Sequence, residues 1–202
     1  MARDFRDIRF SSNKGEQIPY WIESKTDGVS AQVWVRIPQG CSYFNGYYGN
    51  TTAVSESNGD DVFEFFDDFN GSTIDSSKWA QITGTITVSG GIASCGGRGG
   101  QSDLIRSASF FGAGHVAKFR SRLTAINMAQ NGFWNTSTYD IAIFYPDSQY
   151  ATNTRNSSSY GTFTNLGTSY GTSWHTWGIE LCSTSLVKFY IDDSLVATHT
   201  TN

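Results

Sequence analysis

Apolar and polar positions alternate with a period of two along much of this chain. In Gln32 to Ile37, Val33, Val35 and Ile37 share one face, and Gln32, Trp34 and Arg36 share the other. In Val116 to Leu123, Ala117, Phe119 and Leu123 face one way while Lys118, Arg120 and Arg122 face the other. From Ile82 to Val88 the even positions are apolar or Gly and the odd ones are Thr. From Trp177 to Leu181 and from Val187 to Ile191 the odd positions are apolar. Such a period belongs to strands with one buried and one wet face. No segment sustains the 3.6-residue period of a helix, although Asn127 to Gln130 has room for a single turn.

Turn chemistry separates these segments. Ser11 to Gly15 is predicted as a turn between a short strand, Asp7 to Phe10, and a second strand, Ile18 to Glu23. Lys25-Thr26-Asp27-Gly28 closes that second strand with an Asp-Gly signal. Phe44 to Tyr48 is aromatic and ends at Gly49-Asn50, and the polar stretch Thr51 to Asp60 reads as a linker. Asp193-Ser194 sits where a tight hairpin turn follows Ile191. The pattern predicts an all-β chain in two parts: a small β module over 1–61 and a two-sheet antiparallel sandwich over 62–202.

Composition narrows the partners. The chain has 202 residues, 15% of them aromatic, with 21 Gly and only 3 Pro. Its net charge is −4, with 16% of residues charged, so there is no basic excess for a nucleic-acid backbone. No apolar run reaches the roughly 18–20 residues of a membrane span, and no apolar stretch of the signal-peptide kind follows Met1 to Arg6. Cys41, Cys95 and Cys182 are widely spaced and match neither a zinc pattern nor a redox pair, and three reduced, mostly buried thiols are expected.

Two phrases bracket the second part. Phe66-Asp67-Asp68-Phe69 leads on to Trp79, and Trp174-His175 leads on to Lys188-Phe189-Tyr190-Ile191-Asp192. These residues resemble the concanavalin A-like lectin/glucanase superfamily over about 63–202. That resemblance implies a jelly roll of two stacked sheets, one of them concave and often holding sugar. Asp7-Ile8-Arg9-Phe10, Pro19-Tyr20-Trp21-Ile22-Glu23, Val33-Trp34-Val35 and Tyr47-Tyr48-Gly49-Asn50 are similar to a domain of unknown function, number 2341. That domain often precedes such jelly rolls in archaeal and bacterial surface proteins. Measured against both families, each end of the chain is expected to be clipped.

Catalytic patterns are sparse. The glucanase branch of the superfamily carries Glu-x-Asp-x-x-Glu on one strand, because glycosidases need paired carboxylates. Between Leu104 and Trp174 the only acids are Asp140 and Asp147, too far apart for that pair. There is no Gly-x-Ser-x-Gly elbow, and His115, His175 and His199 are isolated from other metal-ligand residues. Gly90 to Gly100 lacks the Lys-Ser/Thr ending of a phosphate loop and is expected to connect strands. Asp67-Asp68 and Asp192-Asp193 are the remaining acid pairs; capped or solvated strand-end acids are the favoured reading of both, with Asp67 and Asp68 as the weak candidates for a structural calcium. No other cofactor is implied. Asn50, Asn70, Asn135 and Asn156 head glycosylation sequons that do not by themselves establish glycosylation.

Flat rings are the strongest functional signal. Trp134, Tyr139, Phe144, Tyr145, Tyr150, Tyr160, Phe163, Tyr170 and Trp174 fall in a Ser/Thr/Asn-rich region. Sugar rings stack on aromatic faces while amides and hydroxyls bond their OH groups. Trp134 and Tyr139, in polar surroundings, are the least core-like, and Tyr145 and Trp174 come next. These four are the expected ligand-binding residues. The basic row Lys118, Arg120 and Arg122 suits sulfated or uronic sugars if its face is concave, and otherwise reads as a solvated face. The expectation is a non-catalytic, extracellular or cell-surface module that binds glycan or cell-surface polysaccharide. A structural subunit of a virion, tail or surface assembly, with other protein subunits as partners, is the alternative. A glycoside hydrolase with acids from separate strands is the third reading.

Overall fold

One proline and a few tight turns set the strand layout of the N-terminal half. In the computed structural model all regular elements among the described residues are strands, and every pairing is antiparallel. The structure describes residues 1–95, 103–122, 131–134, 141–144, 150–155, 161–168, 170 and 172–200, with backbone alone at 81, 82, 150, 151 and 155. The chain divides into two compact units, Met1–Ser109 and Phe110–Asn202.

The first unit contains β1 (Arg9–Ser12), β2 (Gln17–Ile18), β3 (Tyr20–Thr26), β4 (Ser30–Val35), β5 (Phe44–Tyr47), β6 (Trp79–Thr83), β7 (Ile86–Ser89), β8 (Ile92–Cys95) and β9 (Leu104–Ser107). The order β2-β1-β5 makes a three-stranded sheet, and β3-β4, β6-β9 and β7-β8 are ribbons. Sequence alternation predicted one strand over Ile18 to Glu23. Pro19 divides it, because a proline has no N–H for a ladder: β2 pairs with β1, and β3 pairs with β4. The Asp-Gly signal is met by a loop of Asp27, Gly28 and Val29 between paired Thr26 and Ser30, with Gly28 at φ 74°. Gly90 and Gly91, at φ 60° and 75°, form the two-residue turn between Ser89 and Ile92.

Phe5, Ile8 and Tyr20 form the buried centre of this unit, with Phe10, Ile22, Ala31, Val33 and Val35 packed around it. The carboxylate of Asp7, itself buried, accepts the backbone N–H groups of Ala2 and Gly49, at 2.8 Å each. The stretch expected as a linker, 51–60, does not hang free. Asn58 donates its N–H to the carbonyl of Tyr20, Ser57 Oγ accepts the N–H of Ile22, and Glu56 forms a 2.9 Å ion pair with Arg9. Its polarity reflects this bonding along β3. Phe63 and Phe66 then stack on each other and edge against Trp21, and Phe63 also edges against Trp34.

The second unit holds β10 (Val116–Ser121), β11 (Asn131–Trp134), β12 (Ile141–Phe144), β13 (Tyr150–Arg155), β14 (Thr162–Gly167), β15 (His175–Leu181), β16 (Leu186–Ile191) and β17 (Ser194–Thr200). Two four-stranded sheets, β10-β15-β16-β17 and β11-β12-β13-β14, share one core. From the first sheet come Trp177, Ile179, Val187, Phe189, Ile191 and Ala197, and from the second come Ala142 and Phe144. The Phe144 ring meets Trp177 and Phe189 edge-on, at 4.9 and 5.3 Å between centroids. The predicted alternation holds in β10 and β16: Phe119 packs inward, as do Val187, Phe189 and Ile191. A two-residue turn, Asp192-Asp193 at φ 49° and 62°, joins β16 to β17 with the geometry of a type I′ hairpin.

One polar group sits inside this sandwich. His199 on β17 is 1% exposed. Its Nε2 lies 3.1 Å from the Thr152 hydroxyl and 2.9 Å from that of Thr164, and its Nδ1 lies 2.9 Å from that of Thr154. The histidine therefore ties β17 to β13 and β14 across the core. Burial pushes its pKa below the ordinary imidazole value. Cys41, Cys95 and Cys182 are free thiols. Cys95 is exposed, against the expectation of mostly buried cysteines, because β8 runs in a two-stranded ribbon.

Candidate functional site

Strand register decides which rings reach solvent. Directly opposed residues in an antiparallel pair point to the same side of the sheet. Phe133 is paired with Ala142, and Ala142 with Thr154, so these face the core. The alternate set therefore faces outward. Gly132, Ile143, Asn153 and Phe163 form one cross-strand row, and Trp134 pairs with Ile141 in the next.

Trp134, 44% exposed, stands on β11, and Phe163, 56% exposed, stands on β14. These are the two edge strands of the sheet. Three inter-strand steps of about 4.8 Å and two residues along the strand separate the two Cα atoms by roughly 16 Å. Ile143 is on the same face of the sheet but keeps only 3% exposure, so it is buried between the two exposed rings. Asn153 lies in that row, and among the described residues its carboxamide has no hydrogen-bond partner. Gly132 adds no side chain: a Cβ there would overlap the carbonyl oxygen of Ala142. The result is a face with flat rings at two margins, a buried isoleucine and an amide without a partner among the described residues. The described residues facing outward on these four strands include no carboxylate.

The four residues expected to bind ligand do not gather in one place. Trp134 is on this outward face of β11 to β14. Trp174 precedes β15 and lies beside Arg120 and Arg122, on the outward side of the other sheet. The core separates the two tryptophans. Tyr139 and Tyr145 lie outside the described residues, as do Asp140, Asp147, Tyr160, Asn135, Asn156 and the single turn expected at Asn127 to Gln130. Phe144 and Tyr170 from the aromatic set pack into or against the core. Phe163 and Asn153 were not separated from their neighbours by sequence reasoning. The available signal was Thr162-Phe163-Thr164-Asn165, where an aromatic falls on the face opposite two threonines.

Asp67 and Asp68, the calcium candidates, are engaged with N–H donors. Asp67 accepts the Trp79 indole N–H at 2.7 Å and the backbone N–H of Phe69 at 2.8 Å. This closes the turn in which Phe69 takes φ 54°, and the Phe69 ring stacks on Trp79. Asp68 accepts both the backbone and the side-chain N–H of Asn70. Among the described residues no group of three or more His, Cys, Asp or Glu side chains is arranged to hold a metal.

The other sheet's outward face is charged. Lys118 pairs with Asp193 at 3.0 Å, and Glu180 accepts the Tyr190 hydroxyl at 2.8 Å and lies 3.7 Å from Lys188. Asp192 accepts from His175 Nδ1 at 2.7 Å and from the Thr176 N–H at 3.0 Å, and these two bonds hold its carboxyl below the usual carboxylate pKa. His175 Nε2 meets the Tyr170 carbonyl at 2.9 Å, so both ring nitrogens serve to hold the start of β15.

No curated protein and no solved structure matches this chain. Residues 4–82, from ahead of β1 into β6, match the family model described as Domain of unknown function (DUF2341).

Proposed function

We propose that the second unit is a non-catalytic carbohydrate-binding module of a surface or extracellular protein, a jelly roll of the concanavalin A-like kind. It holds a neutral glycan against the outward face of β11 to β14. The observation that carries this reading is the pair of exposed rings, Trp134 and Phe163, on the two edge strands of one sheet, with the Asn153 amide on the same face between them. Rings of that kind offer stacking surface for sugar C–H faces, and an unoccupied amide offers both donors and an acceptor for hydroxyls. Binding of this sort needs no covalent step.

A glycan array read with the whole chain tests the proposal. Trp134→Ala should weaken the bound glycans by about tenfold, equivalent to about 1.4 kcal/mol of lost stacking. Phe163→Ala and Asn153→Ala should weaken the same glycans. Binding that survives all three variants unchanged, or an array without hits, refutes the reading. Exposed Tyr43, Phe44, Tyr47 and Tyr48 on and beside edge strand β5 favour a second reading, in which the chain is a subunit of a larger assembly. Concentration-dependent association in sedimentation, abolished by Phe44→Ser with Tyr47→Ser, is its signature.

A further inference from the structure

The basic row on β10 is two different things in the fold. Lys118 has a carboxylate partner in Asp193. Arg120 and Arg122 have no carboxylate or hydrogen-bond partner among the described residues. Their guanidinium carbons instead lie 5.3 and 5.2 Å from the ring centre of the same half-buried indole, Trp174. The acids described nearby are committed elsewhere: Asp193 to Lys118, Asp192 to His175 and Thr176, and Glu180 to Tyr190 and Lys188. Two like charges two residues apart on one strand face thus have no counter-charge among the described residues, in a chain whose net charge is −4.

We propose that Arg120, Arg122 and Trp174 form a site for an oxyanion carried by an acidic polysaccharide, either a sulfate ester or a uronate carboxylate. The chemistry fits in three respects. A guanidinium presents a planar fork of N–H donors that matches a carboxylate or sulfate edge with two parallel bonds. Stacking on the indole holds each fork in place before the ligand arrives, which lowers the ordering cost of binding. A single oxyanion between the forks also relieves their mutual repulsion. The site lies on the sheet opposite the Trp134 face and does not depend on a neutral glycan binding there.

The test is affinity electrophoresis of the whole chain through gels containing heparin, polygalacturonate, neutral dextran or duplex DNA. Retention is expected with heparin, polygalacturonate or both, and the stronger of the two identifies the oxyanion. Retention should weaken with added salt. Arg120→Gln with Arg122→Gln should lower affinity at least tenfold, and Trp174→Ala should lower it by a smaller factor. Arg120→Lys with Arg122→Lys, which keeps the charge but removes the forks, should also bind more weakly than the native chain. Lys188→Gln, on the same sheet face, should retain native affinity. An unchanged circular dichroism spectrum and melting temperature establish that the surface variants fold. The proposal is overturned by any of three results: no retention by either acidic polysaccharide, retention unaffected by the double Gln variant, or retention by duplex DNA equal to that by the polysaccharides.

Discussion

Replacing His199 with Phe tests whether the polar tie across the second unit's core stabilises it. The phenyl ring occupies similar space and keeps the contact with Phe189, whose ring centre is 5.0 Å from that of the imidazole. It removes the partner of three hydroxyls. Thr152 and Thr154 are fully buried, and leaving each unpaired costs about 1–3 kcal/mol. Thr164 is only partly buried and can turn to water. Burial of a more apolar ring offsets part of the loss. The net expectation is destabilisation of about 2–4 kcal/mol, against a total of about 5–14 kcal/mol for a unit of this size. In calorimetry of the whole chain, the transition of the second unit should fall by roughly 10–25 °C while that of the first stays in place. In a background of Thr152→Val with Thr154→Val the same change should cost little, since no buried hydroxyl is then orphaned. Acid should act through the same atom. From the strands packed against it, the described inward groups are Val187, Phe189, Ile191, Thr152, Thr154, Thr164 and Leu166, none of them charged. Burial holds the folded pKa below 6.5, so above that pH both folded and unfolded chains carry neutral imidazole. Below it the unfolded chain takes up the proton first, and stability is lost as pH falls toward the folded value. His199→Phe should flatten this loss. A cost under about 1 kcal/mol, a cost equal in the two backgrounds, or an unchanged acid slope would show that the hydroxyl network is not what stabilises this part of the core.

Asp67→Ala should destabilise the first unit by about 1.5–3 kcal/mol, because Trp79 and Phe69 lose a charged acceptor; urea titration with tryptophan fluorescence reads it, and a Ca²⁺ titration of the native chain should leave that midpoint unchanged. Gly132→Ala should lower the second unit's melting temperature more than a surface substitution does, since its Cβ would overlap the Ala142 carbonyl oxygen at φ 144°. If Gly132→Ala melts with the native chain, β11 does not pair with β12 in the register that sets Gly132 opposite Ile143.

What could be read from the chain depended on whether a strand's two faces differ in hydrophobicity. They do in β10 and β16, where apolar residues alternate with Lys, Arg or Tyr, and there the predicted faces match the packing. They do not in β13 and β14. Thr152, Thr154 and Thr164 serve as core residues because His199 accepts or donates to each, so the inner face is written in polar letters. Without that alternation neither strand is legible in the sequence, and Phe163 cannot be assigned to the outer face. A proline was visible at position 19, yet its consequence required knowing that β2 and β3 seek different partners. The Phe65 to Phe69 phrase was legible as a motif, but the role of Asp67 depends on Trp79, twelve residues on.

Separation along the chain hides the site in the same way. Trp134 could be picked out as a solvent-facing ring because its neighbours are polar, a local property. Pairing it with Trp174 could not be tested locally, since a lead-in to β15 and an edge strand of the other sheet share nothing in sequence. Register supplies the missing information: one residue of slip turns every outward ring inward, and the pairing Gly132, Ile143, Asn153, Phe163 puts Phe163, not Trp174, across from Trp134. Trp174 acquires its surroundings from Arg120 and Arg122, more than fifty residues earlier. A residue type that suits sugar stacking is thus found on both outer faces, and the partners decide its chemistry. The proposed ligands follow that division: neutral sugar beside the Asn153 amide, and an anion beside two guanidiniums that have no counter-charge among the described residues.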